Sequence, residues 1–438
     1  VAGVRATLRS PRLRRILTAY TVNRLGTWFG VIALMVAVYD HTHSAVAVSV
    51  TLLAAQALPA FVVPAVVARV EASRRRSELS ALYFFEAVAT AAIAVLLSHF
   101  SLPAIVLLAA LDGTAALAAN ALLRAALARA ARDEVDTGAG PDAPAREEQA
   151  QEAERTANAA LNVGFSATFV LGPVIAGAVV ASAGAPAALY IDVASFMLCG
   201  AFLLDLHPHV EEAEGDSVRA RLRAGLQHIN DAPLLRAMFL AYGMALIFLY
   251  SAAPIEVTYA KATLHSGDRG FGVLLTVWGA GAVLGSLVFA RSLKRSLGVM
   301  LGAGVAAIGA AYLGFWAAPS LAVACVAAFV GGLGNSLEVP SLVSLVQRLT
   351  PQRLQGRMMG AVESLNAFGL AIGLPIGGLL TVLGTPRLAF LLVGLGSVAT
   401  ALVLIRIGSA DVPPPGEDVD PGLAARDQAE EATAQPLS

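Results

Sequence analysis

Residues 63–80, VPAVVARVEASRRRSELS, set four arginines (Arg69, Arg74, Arg75 and Arg76) between two long apolar runs. The runs, 46–68 and 79–98, are each close to the ~20 residues a helix needs to cross a bilayer core. Helices close their own backbone hydrogen bonds, so they are the natural form for such runs in lipid. The basic segment then becomes a short loop of the kind that stays on the cytoplasmic side.

The same reading works outward in both directions. Apolar stretches near 16–38, 46–68, 79–98, 103–130, 155–182 and 186–205, then 234–258, 270–290, 298–317, 321–347, 357–383 and 387–407, predict twelve membrane-crossing helices. Composition agrees: 57% of residues are hydrophobic and 14% charged, with a mean hydropathy of +0.70, too apolar for an ordinary soluble domain. The expected class is an all-α, multi-pass integral membrane protein. A net charge of -1 gives no sign of a polybasic surface protein or of a nucleic-acid partner, because the arginines form local clusters offset by local acids.

Charge placement orients the chain. Arg5 to Arg15, the arginine cluster, Arg129, Arg132 and Arg146, Arg219 to Arg223, and Arg291, Lys294, Arg295, Arg348, Arg353 and Arg357 fall on one side, while DHTHS (40–44), SHFS (98–101), SAGAP (182–186) and AAPS (317–320) on the other are nearly bare. Both termini are therefore expected in the cytoplasm. The basic N-terminal stretch runs into an apolar segment without a small-residue cleavage site, as in a retained first helix rather than a secretory signal.

The twelve spans divide into two sets of six, each with an arginine-rich loop after its second helix: VARVEASRRRS (67–77) answers FARSLKRS (289–296). Internal symmetry of this type marks secondary transporters with a midplane site between repeats. The expected organisation is an N-terminal six-helix bundle at 1–205, a cytoplasmic linker at 206–232, a C-terminal bundle at 233–410 and a disordered cytoplasmic tail at 411–438. The insert at 138–155 is polar like the tail, with room for a short surface helix.

Several segments carry a family resemblance. NRLGTWFGVIALMVAVYDHTHSAVAVS (23–49), VARVEASRRRS, TANAALNVGFSATFVLGPVIAGAV (156–179) and VQRLTPQRLQGRMMGAVESLNAFGLAIGLPIGG (346–378) together resemble the major facilitator superfamily, in its bacterial branch of siderophore and drug exporters. The chain departs from the family pattern at Gly26-Thr27, where Gly-Asp is usual. Pro64 and Ala68 stand at the Gly and Asp positions of the basic loop motif, and Thr168 stands at a usual glycine.

The resemblance implies a cytoplasmic latch built on Arg69, with Glu71, Arg74, Arg75, Arg76 and Arg291 as the gate and loop-motif candidates; the alternative for these charges is topology alone. It also implies helix bending and close packing at Gly172, Pro173 and Gly177, and by extension at Pro375.

Ionisable residues inside spans cost about 3 kcal/mol each on insertion scales, which makes each a functional candidate. The resemblance places the first, fourth, seventh and tenth helices around the cavity, and Arg24, Asp112, Glu256 and Glu338 fall on them. At 1.5 Å rise per residue Arg24 lies roughly 12 Å from the inner end and Asp112 roughly 13 Å from the outer end of its helix, both near the midplane. The expectation is that Arg24 and Asp112 pair in one conformation and that protonation of Asp112 releases the pair; a static packing pair is the alternative. Asn23, Trp28, Asn120, Asn162, Tyr250 and Asn335 are candidates to line the substrate cavity.

Neither Cys199 nor Cys325 has a ligand neighbour, and the His-x-His pairs at 41–43 and 207–209 lack further ligands, so no metal or other cofactor is expected. No phosphate-binding G-x-x-x-x-G-K-[ST] run occurs, which argues against direct ATP drive. The chain is expected to be no enzyme but a monomeric, multi-pass transporter of a bacterial plasma membrane. By alternating access it would exchange protons for a small amphipathic substrate such as a siderophore, drug or secondary metabolite, in an antiport. An importer and a non-transporting membrane sensor are the alternatives.

Overall fold

A computed structural model describes residues 10–59, 78–136, 143–204, 229, 233–292, 296–350 and 355–409. Among these, every regular element is a helix: α1 (Pro11–Thr42), α2 (Ala45–Leu52, continued by a π turn Leu53–Ala57), α3 (Glu78–Leu96), α4 (Leu102–Asp136) and α5 (Ala143–Phe202). They are followed by α6 (Pro233–Thr258, continued by a π turn Tyr259–Thr263), α7 (Gly267–Arg291), α8 (Leu297–Ala317), α9 (Leu321–Leu349), α10 (Gln355–Leu383) and α11 (Pro386–Ser409). Ten helices in these residues are long and apolar enough to cross a membrane, and Ala45–Ala57 is a shorter apolar one.

Local sequence sets the ends. The Ser10 hydroxyl accepts from the Leu13 amide at 3.3 Å with Pro11 at the first helical position, which starts α1. His43 takes a left-handed conformation (φ 49°) and donates its amide to the Tyr39 carbonyl, ending α1. Ser44 then caps α2 through the Ala47 amide.

The turn SAGAP parts two helices, as expected: within Ala143–Phe202 the chain kinks at Gly184, which leaves helical geometry (φ 83°, ψ 169°) where a glycine carries no Cβ penalty. One expectation is corrected. The insert at 138–155 holds no separate surface helix in its described part, because Ala143 already begins α5. That extension is tied to the end of α4 by Arg132–Glu154 at 3.1 Å, as Arg12–Asp133 at 2.7 Å ties α1 to the same place. The second predicted span is described only to residue 59, and the linker and tail lie largely or wholly outside the described residues.

Apolar side chains collect in three clusters whose membership defines the shape. One joins both halves of the chain, from Phe29 to Tyr39, Val48, Ile93, Ile105 and Val180 to Ile255, Tyr259, Phe271, Tyr312, Phe315, Phe390 and Val393. A second holds residues of the first half alone, including Leu13, Ile16, Leu79, Tyr83, Leu127, Leu161 and Leu203. A third holds residues of the second half alone, including Leu235, Phe239, Leu301, Leu345, Met358 and Leu404. The halves are thus fused at the end carrying the 40–44 loop and have separate cores at the end carrying residues 11–20.

Small residues make the fused end possible, since lipid gives apolar helices no hydrophobic reason to associate and close van der Waals approach must serve instead. At the α5–α7 seam a Cβ on Gly177 would stand 2.8 Å from the Gly272 carbonyl oxygen and 3.0 Å from Leu275. Gly378 of α10 packs on Ser49 of α2. Within the second half, Gly281 and Gly285 pack on backbone carbonyls of α9, and Gly369 and Gly373 pack on α6.

Candidate functional site

One wall of the first half is built from residues one turn apart, which share a helix face. Tyr20, Arg24 and Trp28 follow one another on α1. The Arg24 guanidinium lies 5.4 Å from the Phe165 ring centroid. Phe165 stacks on Phe169 at 5.9 Å, and Phe169 meets Trp28 edge-on at 5.9 Å. Arg124 of α4 lies 6.0 Å from the Tyr20 ring centroid. Gly172 is where it is because any side chain there would enter the Trp28 indole, and Pro173 beside it is buried.

Arg24 and Asp112 form no ion pair with each other among the described residues. Asp112 accepts from the Thr90 hydroxyl at 3.2 Å, while Arg24 lies within electrostatic reach of Tyr20, Arg124 and, on α10, Glu363. The Arg24 Nε, Tyr20 hydroxyl and Asn120 Oδ1 are buried without a hydrogen-bond partner among the described residues.

Asp112 instead belongs to a group of three carboxyl groups with Glu86 of α3 and Asp192 of α5, which lie within electrostatic reach of one another. Glu86 is fully buried with neither oxygen partnered. Asp192 fits against α1 where Gly26 and Gly30, one turn apart, leave a notch that a side chain would fill with its carboxylate. Glu86 and Asp192 are not among the site residues singled out from the sequence. The usable signal was the Gly26/Gly30 spacing, which opens one face of α1.

In the second half Glu338 accepts from the Tyr242 hydroxyl at 2.5 Å and leaves its other oxygen buried and unpartnered. Glu256 is half-buried near Pro254 on α6. The Tyr250 hydroxyl donates to Asn366 at 3.2 Å. Asn335 is half-buried on α9, one turn before Glu338, and Asn23 gives its carbonyl to Thr27. Asn162 is exposed and lines an open groove of about 520 Å³ between α5 and α7 with Ser166, Val170, Val283 and Ser286. Arg291 is exposed at the end of α7, and Pro375 is exposed while its neighbours Gly373 and Gly377 do the packing on α6. Arg69, Glu71, Arg74, Arg75 and Arg76 lie outside the described residues.

At the fused end a latch absent from the sequence reading crosses between the halves. Lys261, 9% exposed, pairs with Asp40 at the end of α1 and with Asp268 at the start of α7. It also lies 5.9 Å from the Tyr39 ring centroid.

Residues 238–433 match the family model described as Major Facilitator Superfamily. Magnetosome protein MamH of Paramagnetospirillum magneticum is 25% identical over 244 residues, 53% of this chain and 55% of that protein. The multidrug efflux pump Tap of Mycobacterium tuberculosis strain H37Rv is 26% identical over 259 residues, 57% of this chain and 61% of that one. The chain therefore spans little more than half the length of these relatives. The nucleoside transporter NupG shares the fold over 92% of this chain and 100% of its own, with a TM-score of 0.65 at 14% identity. Tap and NupG are named as an efflux pump and a transporter, and with ten apolar helices among its described residues the chain is a multi-pass membrane protein. Family model, relatives and fold together make the chain similar to Major Facilitator Superfamily proteins, with an efflux pump among the relatives it matches.

Proposed function

We infer that the chain is a proton-coupled exporter of a small amphipathic molecule, working by alternating access between two six-helix bundles with both termini in the cytoplasm. The observation that carries this reading is the distribution of the cores: one shared core seals the halves at the end opposite the basic loops, and two separate cores leave them apart at the basic end. With the basic end inside, this is the cytoplasm-open state in which an exporter loads.

Twelve crossings follow if α5 crosses twice about Gly184 and α2 completes a crossing with the residues after it. Coupling is assigned to Asp112 together with Glu86 and Asp192, and to Glu338 and Glu256. The number of protons that such groups hold changes when water gains or loses access to them. Efflux-type relatives favour the outward direction.

The test compares metabolites in cells and medium with and without the gene in its native host. A compound lost from the medium and retained in the cells is the expected result. The reverse pattern overturns the direction, and no difference for any compound overturns transport.

A further inference from the structure

Among the described residues, the basic and aromatic wall described above has no ion-pair partner for its charge. Arg24 and Arg124 come from α1 and α4, flank the same Tyr20 ring or its next turn, and meet aromatic faces rather than carboxylates. The Asp112 group does not neutralise them, since no ion pair joins it to Arg24 among the described residues. Among the described residues, Glu363, exposed on α10, is the one carboxylate within electrostatic reach of Arg24, and it forms no ion pair with it. Two guanidiniums against one carboxylate leave the wall net positive.

Placing an uncompensated guanidinium in a membrane span is costly, and a guanidinium offers forked donors matched to carboxylate, sulfonate or phosphate oxygens. The Arg24 Nε has no acceptor among the described residues. Beside the charges runs a ladder of Trp28, Phe169 and Phe165, with ring centroids about one stacking distance apart. Charge and ladder are adjacent because each set repeats at one helical turn: 20, 24 and 28 on α1, 165 and 169 on α5, 120 and 124 on α4.

We propose that this wall is a binding site for organic anions with an aromatic body, the anionic group held between Arg24 and Arg124 and the ring against Phe165, Phe169 and Trp28. The assignment deepens the export reading by naming the substrate class and rests on that reading, but it is tested at equilibrium without any gradient.

The probes are 1-naphthoate, neutral 1-naphthamide and cationic 1-naphthylmethylamine, which share a ring system and differ in charge. Binding to the purified full chain in nanodiscs is read by calorimetry and by quenching of Trp28, with Trp28→Phe identifying its share of the signal. Naphthoate is expected to bind at least tenfold more tightly than the amide and to leave the amine weakest. Arg24→Gln and Arg124→Gln should each reduce naphthoate affinity about tenfold while leaving the amide unchanged, and Arg124→Lys should restore part of it. Arg124 is exposed, so its variants test the site without threatening the fold.

Equal or tighter binding of the amide or the amine, unchanged naphthoate affinity in both Gln variants, or no binding of naphthoate overturns the assignment. If naphthoate binds as expected but no metabolite moves in the gene comparison, the site stands and the transport reading fails. Gene-dependent export of a neutral or cationic compound alone would keep transport and remove this site.

Discussion

Asp40→Asn is expected to loosen the sealed end without unfolding the chain. Lys261 is 9% exposed, whereas Asp40 and Asp268 are 43% and 37% exposed. Only the Asp40 pair crosses between the halves; Asp268 lies on the same side of the seam as Lys261. Exposed pairs contribute about 0.2–1 kcal/mol, and removing a partner from a fully buried pair costs about 3–5 kcal/mol. Lys261 is buried but keeps Asp268, so the loss should fall near the top of the first range, about 1 kcal/mol. That is about a fivefold shift of the open-to-sealed ratio.

Ser49, buried against Gly378 in the shared core, reports this opening when changed to Cys in a chain whose Cys199 and Cys325 are replaced by Ala. Labelling by a membrane-impermeant maleimide from outside should be about fivefold faster with Asp40→Asn. It should change little with Asp268→Asn, which breaks a pair inside one half. Equal labelling rates in the parent and Asp40→Asn, or an equal rise in both variants, would refute the latch.

Four further outcomes are expected. Gly177→Val drives a branched side chain into the Gly272 carbonyl; an overpacking cost of about 1–3 kcal/mol should lower the thermal unfolding midpoint in detergent. Gly360→Ala, at a helical site with nothing within 4 Å of the added carbon, should leave the midpoint unchanged or raise it. Glu338→Leu strands the Tyr242 hydroxyl at about 1–3 kcal/mol, and Tyr242→Phe in the same chain should recover most of that loss in a denaturation series. Asp112→Asn should abolish pH-gradient-driven transport while leaving substrate exchange, measured by counterflow in proteoliposomes; intact gradient-driven transport in that variant would remove Asp112 from coupling.

The helices were legible because lipid imposes one rule everywhere: a long apolar run must close its own hydrogen bonds. Predicted and observed helix ends agree closely at 298–317 against Leu297–Ala317 and at 387–407 against Pro386–Ser409. They differ where polar residues continue a helix beyond the apolar stretch, as at Ala143–Arg155 and Arg129–Asp136, because hydropathy marks the membrane and not the helix. Single-chain patterning found Arg24 and Asp112 as intramembrane charges but not their neighbours. Which face each occupies depends on helix rotation, and that is set by notches such as Gly26 and Gly30 under Asp192. Lys261 was hidden for a different reason: its value lies in two partners more than 200 and only seven positions away, and no local pattern joins them.

The most direct test of the alternating-access account is a pair of spin-label distances measured in one series of nanodisc samples across pH, with and without 1-naphthoate. Labels at Glu152→Cys and Gly360→Cys span the basic end, and labels at His43→Cys and Arg269→Cys span the sealed end; all four sites are exposed. The account predicts that the first distance shortens as the second lengthens, in the same samples and with the same midpoint. Two distances that stay fixed, or that change independently of each other, would contradict it.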